Sequence, residues 1–454
     1  MSNFHFIAIG GSVMHALAIA LKENGHQITG SDDAIFDPSL SQLQKAGICP
    51  DEMGWFPEKI NSSLDAVILG MHAKKYNPEL VKAQKMGLPL FSYPEFIAHY
   101  TKKKTRVVIA GSHGKTTITA MVLHVLNYHQ KSVDYMIGAQ LEGFDNSVYL
   151  SENNQFIVLE GDEYLSSPID SSPKFHHYKP QIALISGIAW DHVNVFKTQS
   201  DYNRQFEIFI YSIKAGGVLV YNQEDEKLRE MVEVSQNIVR KEPYRLPDHS
   251  ISSGVTYLET DEGPMPLSIF GKHNLSNLSG AKWICQLIGI DEDDFYQAIS
   301  GFKGASKRLE RLATGKTSHL FRDFAHAPSK VKATTAAVKA QFIGLKLIAC
   351  LELHTYSSLD PLFLVNYYQT LNQTDIPIIF YDPEALKIKN RPSITPLEII
   401  EAVGHPDLIV YSKPEDLKNF LLEQDYFSTV LLMMSSGNYG GIDLEALKNR
   451  LSKF

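Results

Sequence analysis

A chain of 454 residues has room for about three domains of ordinary size, and its 44% hydrophobic and 21% charged content excludes a disordered or fibrous chain. A net charge of −8 excludes overall attraction to nucleic acid or an anionic membrane, so an anionic ligand needs local basic sites. Cys49, Cys285 and Cys350 are too far apart for a C-x-x-C metal pattern and too few for a disulfide framework, and read as reduced thiols of a cytoplasmic protein. No apolar run approaches the roughly 18 residues a membrane span needs. Residues 1–11 form a strand and turn without the basic region or cleavage site of a signal peptide.

Strand and helix patterns alternate from end to end, which predicts an α/β protein with mostly parallel sheets. The N-terminal third predicts strands at 5–9, 26–30 and 66–70 and helices at 14–24, 40–46 and 78–86. Between the first strand and helix lies Gly10-Gly11-Ser12, and Gly30-Ser31-Asp32 closes the second strand. In a nucleotide-binding βαβ unit these positions take a phosphate and a ribose or base. A plain turn with a helix-capping aspartate accounts for the same residues. The basic, apolar-free run at 101–105 reads either as a linker or as a solvated helix end.

The short apolar run 107–110 then feeds Gly111-Ser112-His113-Gly114-Lys115-Thr116-Thr117, followed by an apolar-periodic helix at 118–126. That is strand, phosphate loop, helix. The full pattern wants glycine at 109, where Ile109 stands, leaving G-x-x-G-K-T. Backbone N–H groups of such a loop bind phosphate oxygens. Lys115 would place its charge on the β/γ-phosphates, and the Thr116 hydroxyl would hold Mg²⁺. The cofactor class is thus a nucleoside triphosphate with Mg²⁺.

Glu160 follows the apolar strand 156–159 as its first polar residue, a position facing the ligand crevice of an open sheet, and is expected to bind Mg²⁺. His192 comes soon after the strand at 182–186 and suits a second cation or the reacting group. A strand at 217–221 precedes a stretch, 243–266, that reads as loops or a small antiparallel insertion. His273, Asn274 and Asn277 open a helix with amides able to read a base or ribose. Arg308 offers a guanidinium fork for phosphate or carboxylate. The last third predicts strands at 319–321, 347–351, 376–381, 408–411 and 430–434 and a final helix at 444–451. Asp323 and His326 follow the first of these strands, and His354 and Tyr356 follow the second.

In this order the segments resemble the Mur ligases, the ATP-dependent amino-acid ligases of peptidoglycan synthesis, over essentially the whole chain. The resemblance implies three domains: a Rossmann-like UDP-sugar domain at 1–104, a central P-loop ATPase domain at 105–312, and a Rossmann-like domain at 313–454 for the amino acid or peptide. It assigns Gly10, Gly11, Ser12, Ser31 and Asp32 to the UDP-sugar. It assigns Gly111 to Thr117, His273, Asn274, Asn277, Arg308 and Asp323 to ATP. Thr116, Glu160 and His192 are implied as metal ligands, with Lys115, Glu160 and His192 catalytic. His326, His354 and Tyr356 are implied for the acceptor.

Within the family the chain is similar to the branch that binds UDP-N-acetylmuramate. Residues 162–180 resemble members that attach the tripeptide L-alanyl-γ-D-glutamyl-meso-diaminopimelate, which is the leading expectation. Residues 353–357 resemble members that attach L-alanine, which is the alternative. The implied reaction runs through an acyl phosphate on the muramate carboxylate, which the incoming amine then displaces. A monomer or homodimer without nucleic acid or membrane insertion is implied. Three departures stand out. Glu207 lies near the place of a carbamylated lysine in several members, Val13 replaces a glycine of the first turn, and Ala327 replaces a histidine. A folylpolyglutamate-synthase-like ligase, a non-catalytic nucleotide-binding regulator and a dehydrogenase are the rival readings.

Overall fold

The computed structural model describes residues 1–138, 143–144, 146–191, 195–389 and 391–454. The chain forms two compact units, each built on parallel sheet. The first comprises Met1–Ile188, Gln199–Arg245 and Gly280–Tyr296; the second comprises Ala189–Thr198, Leu246–Ser279 and Gln297–Phe454.

The first unit holds two sheets. A four-stranded parallel sheet runs in the order Gln27–Ser31, Asn3–Ile7, Ala66–Leu69, Leu90–Ser92. A seven-stranded sheet runs Arg240–Tyr244, Val218–Asn222, Ile182–Ile185, Thr105–Ala110, Phe156–Gly161, Asp134–Met136, Val148–Tyr149, with only the last strand antiparallel. Its central strands are buried almost throughout, as the near-continuous apolar runs of a sheet covered on both faces require. After Thr105–Ala110 the chain skips a position to Asp134–Met136, fills it with Phe156–Gly161, then reverses to Ile182–Ile185. The phosphate loop therefore leaves the sheet at the point of reversal, where open α/β sheets bind ligands.

The second unit repeats that device. Its six-stranded sheet runs Glu310–Thr314, Ser318–Asp323, Thr429–Met434, Lys346–Leu353, Ile376–Tyr381, Ile409–Tyr411, with the first strand antiparallel. The late strand Thr429–Met434 fills the gap between two earlier ones. Val331, Val338, Ile399 and Val403 of the helices Pro328–Gln341 and Pro396–Val403 cover one face. Leu417, Leu421, Leu447 and Leu451 of Pro414–Glu423 and Leu444–Leu451 cover the other.

The mixed α/β class with parallel sheets is as read from the sequence. The stretch 243–266 contains a three-stranded antiparallel sheet, His249–Ser252, Val255–Thr260 and Gly263–Leu267. Two features differ. The strand Leu90–Ser92 and helix Tyr93–Tyr100, closed by a Ser92–Glu95 capping box, were not anticipated. Residues 101–104 are a packed turn rather than a linker: Thr101 is buried, and Lys104 forms an ion pair of 2.8 Å with buried Asp134. The three cysteines are free thiols, with Cys285 and Cys350 buried. Among the described residues no helix is long and apolar enough to cross a membrane.

Candidate functional site

The phosphate loop has no room for a larger first residue. Gly111 has φ +127°, and a Cβ there would lie 2.2 Å from the Ser186 Oγ. That serine follows the neighbouring strand Ile182–Ile185 and donates to the His113 carbonyl. Ser112 N–H donates to the Gly187 carbonyl at 2.9 Å. The loop is thus pinned to the adjacent strand end, and Gly114 at φ +83° turns the chain into the helix Lys115–Tyr128.

Two carboxylates, Glu160 and Glu163, meet this loop, and Asp162 stands beside them. In register, Ile109 faces Glu160 and Ala110 faces Gly161, so the strand Phe156–Gly161 ends beside the loop. Thr116 Oγ1 donates to Glu160 Oε1 at 2.7 Å, and Glu160 Oε2 accepts from Gly138 N–H at 2.9 Å. The Lys115 ammonium donates to the Gly111 carbonyl and to Glu163 Oε2, both at 2.6 Å. Glu163 is fully buried, and its other oxygen accepts from the Tyr202 hydroxyl at 3.0 Å. Asp162 pairs with Lys174, whose ammonium also lies 5.7 Å from the ring centres of Tyr93 and Tyr164. Burial alone would push the Lys115 pKa down, but the charges of Glu163, Asp162 and Glu160 outweigh it and hold the pKa above the ordinary lysine value. The lysine is firmly cationic.

Lys115, Thr116 and Glu160 therefore come together. Ser112 and Thr117 are buried in the same loop and helix start. Glu163, Lys174 and Tyr202 are additions that sequence reasoning missed. The cue for Glu163 was present, three acids within four residues, but only contact distances single out its partner. His192 lies outside the described residues.

The first turn is also assembled. Gly10 N–H donates to Asp32 Oδ2 at 2.7 Å and Asp33 N–H to Asp32 Oδ1 at 3.0 Å. A Cβ on Gly10 would approach that carboxylate to 2.9 Å. Asp32 thus holds the turn shut, and burial raises its pKa against these two donors. Ser31 is fully buried with its hydroxyl unpartnered, while Gly11 and Ser12 are on the surface side of the turn.

The remaining residues lie in the second unit. Asn274 is buried and donates to the Phe270 carbonyl at 3.0 Å, and Asn277 is buried on the same helix. Burial lowers the His273 pKa to about 4. The Arg308 guanidinium stacks 4.5 Å from the Phe324 ring centre. Asp323, at the end of its strand, accepts from Ala325 N–H at 2.7 Å. Its burial outweighs the nearby Arg308 charge and raises its pKa to about 6. His326 Nδ1 lies 2.8 Å from the Phe324 carbonyl, which makes that nitrogen the donor, and burial lowers its pKa to about 4.

The next strand end brings Glu352, one position past the predicted strand 347–351, which sequence reasoning did not single out. It is buried, accepts from Tyr439 N–H at 2.9 Å and from the Ser435 hydroxyl, and lies 3.7 Å from His354 Nδ1. Tyr356 is exposed, with Lys389 and Arg391 near its ring at 5.9 and 5.7 Å.

With this geometry in hand, residues 109–285 match the Mur ligase middle domain and residues 3–105 the Mur ligase family catalytic domain. The chain is 30% identical to a UDP-N-acetylmuramate–L-alanine ligase of Persephonella marina, covering 100% of this chain and 96% of the relative. A solved UDP-N-acetylmuramate–alanine ligase from Thermotoga maritima superposes with a TM-score of 0.70 at 21% identity, covering 99% and 98% of the two chains. A solved UDP-N-acetylmuramate:L-alanyl-γ-D-glutamyl-meso-diaminopimelate ligase from Neisseria meningitides is 25% identical with a TM-score of 0.60, covering 67% of this chain and 98% of that one.

Proposed function

This chain belongs to the Mur ligase family, the ATP-dependent ligases of peptidoglycan synthesis, and on that premise we propose that it joins the lactyl carboxylate of UDP-N-acetylmuramate to the amine of L-alanine. The observation that carries the nucleotide half is the cationic Lys115 at the head of a pinned phosphate loop, with Thr116 and Glu160 in contact beside it. The acceptor rests on the full-length relative named as an L-alanine ligase.

Loop N–H groups and Lys115 bind the β/γ-phosphates and hold the γ-phosphorus for attack by the muramate carboxylate. ADP leaves and an acyl phosphate remains. The amine attacks the acyl carbon, phosphate leaves, and the amine loses a proton. Thr116 and Glu160 offer hard oxygens 2.7 Å apart, which fits Mg²⁺. When bound there, Mg²⁺ neutralises phosphate charge. Gly10 to Ser12 with Ser31 and Asp32 are assigned to the UDP-sugar, and His273, Asn274, Asn277, Arg308 and Asp323 to ATP. His326, His354 and Tyr356 are assigned to the acceptor. With Nδ1 donating to the Phe324 carbonyl, His326 keeps a neutral Nε2 acceptor for an amine N–H. The reading divides the chain at 104 and 312.

A tripeptide acceptor, L-alanyl-γ-D-glutamyl-meso-diaminopimelate, is the second reading. The segment 162–180 favours it, as does the similarity to the Neisseria ligase. Both acceptors present the same L-alanyl amine, so the chemistry is common and only the reach of the site differs. Phosphate release with UDP-N-acetylmuramate plus either acceptor is the test. L-alanine is expected to drive release. Preference for the tripeptide replaces the first reading with the second, and activity with neither rejects both.

A further inference from the structure

An ammonium has three N–H donors, and in Lys115 the Gly111 carbonyl and Glu163 accept at 2.6 Å each. Glu163 is not a loose surface acid. It is fully buried, and the hydroxyl of Tyr202, itself fully buried on the helix Gln199–Ser212, fixes its second oxygen. The group that a phosphate-loop lysine serves is the β/γ-phosphate. Glu163 and the nucleotide therefore compete for one cation.

We propose that Glu163 is a displaceable counter-ion: it holds Lys115 in the nucleotide-free enzyme, yields it to the phosphates on binding, and reclaims it as product leaves. The proposal rests on the phosphate-loop reading above. Two costs of binding follow. The buried pair must be broken, and the carboxylate left behind then faces the phosphates as a like charge. Glu163→Gln removes both costs while keeping an acceptor for Tyr202. A residue that merely supported the loop would act in the opposite direction, since its loss would loosen the lysine and weaken binding.

The test is calorimetric titration of the full-length chain with ADP, once in EDTA and once with MgCl₂. Glu163→Gln is expected to bind ADP about tenfold or more tightly than the unaltered chain in both buffers, which is the direction expected when a buried pair loses one partner. Unchanged or weaker binding in EDTA overturns the proposal. Weakening confined to the MgCl₂ series overturns it too, by making Glu163 a metal ligand. If Glu163→Gln does not give a cooperative thermal transition, Glu163→Ala takes its place with the same expected sign. An unaltered chain that binds no ADP in either buffer rejects the phosphate-loop reading itself, which is distinct from any difference between variants.

Discussion

At the phosphate-loop edge each of these charges meets a partner, Lys115 with buried Glu163, Asp162 with Lys174 and Glu160 with the Thr116 hydroxyl. At the strand ends of the second unit, Asp323 is buried and His326 half-buried, each with a backbone partner, and loss of water moves both far from their ordinary pKa values. In both sheets the strand leading into the site is flanked by a later strand that fills a skipped position, so topology alone does not make them differ. The difference is electrostatic. The first site keeps its ions charged by pairing them, so it is poised for an anionic ligand and responds to loss of a charge. The second shifts its titrations by excluding water, Asp323 up to about 6 and His326 down to about 4, so it responds to pH.

Three perturbations break or sharpen that contrast. The largest is Lys115→Ala. Loss of the cation at the end of the phosphate loop is expected to lower phosphate release by about a thousandfold or more; turnover like that of the unaltered chain would dissolve the distinction at its root. Next is Gly111→Ala, which forces a side chain into a left-handed φ and onto the Ser186 hydroxyl. Urea unfolding is expected to show a loss of about 3 kcal/mol, and a loss below about 1 kcal/mol would mean the loop is not pinned as described.

The smallest is His326→Gln, read as stability against pH. His326 titrates at about 4 in the fold against an ordinary 6.5, so on acidification through that window the unfolded chain takes up a proton that the fold refuses, and stability falls. Asp323, at about 6 against 3.8, binds its proton first in the fold and works the other way. The variant is therefore expected to lose about 2 kcal/mol less than the unaltered chain between pH 7 and pH 4.5. Equal losses in the two proteins would show that His326 is already hydrated.

The parts that were legible from sequence share a property: they are local. The run from Val107 to Thr117 carries its strand, turn and helix start within a few residues, and Asp323 and His326 follow directly from a strand. Pairings across the sheet were not legible. Lys115 and Glu163 are 48 positions apart, and nothing in the composition of 160–163 says which acid faces the loop and which faces a lysine. Glu352 escaped for a related reason, because an acid just past the predicted strand 347–351 reads as a plain strand end until its buried donors are seen. Tyr202, 39 positions from Glu163, was not singled out either. Asp32 stood out in the sequence, but not as the clasp of its own turn. The first structured turn after Tyr100 was hidden by its charge, since Lys104 looks solvated until Asp134 is placed beside it.

The burial of Cys285 and Cys350 has a practical consequence. Burial raises both thiol pKa values, so neither offers much thiolate, and alkylating reagents act on thiolate. Cys49 is partly covered and is shifted in the same direction. A fluorophore attached through one cysteine introduced on the open surface would thus report almost entirely from the chosen place, without first stripping the chain of its native sulfur.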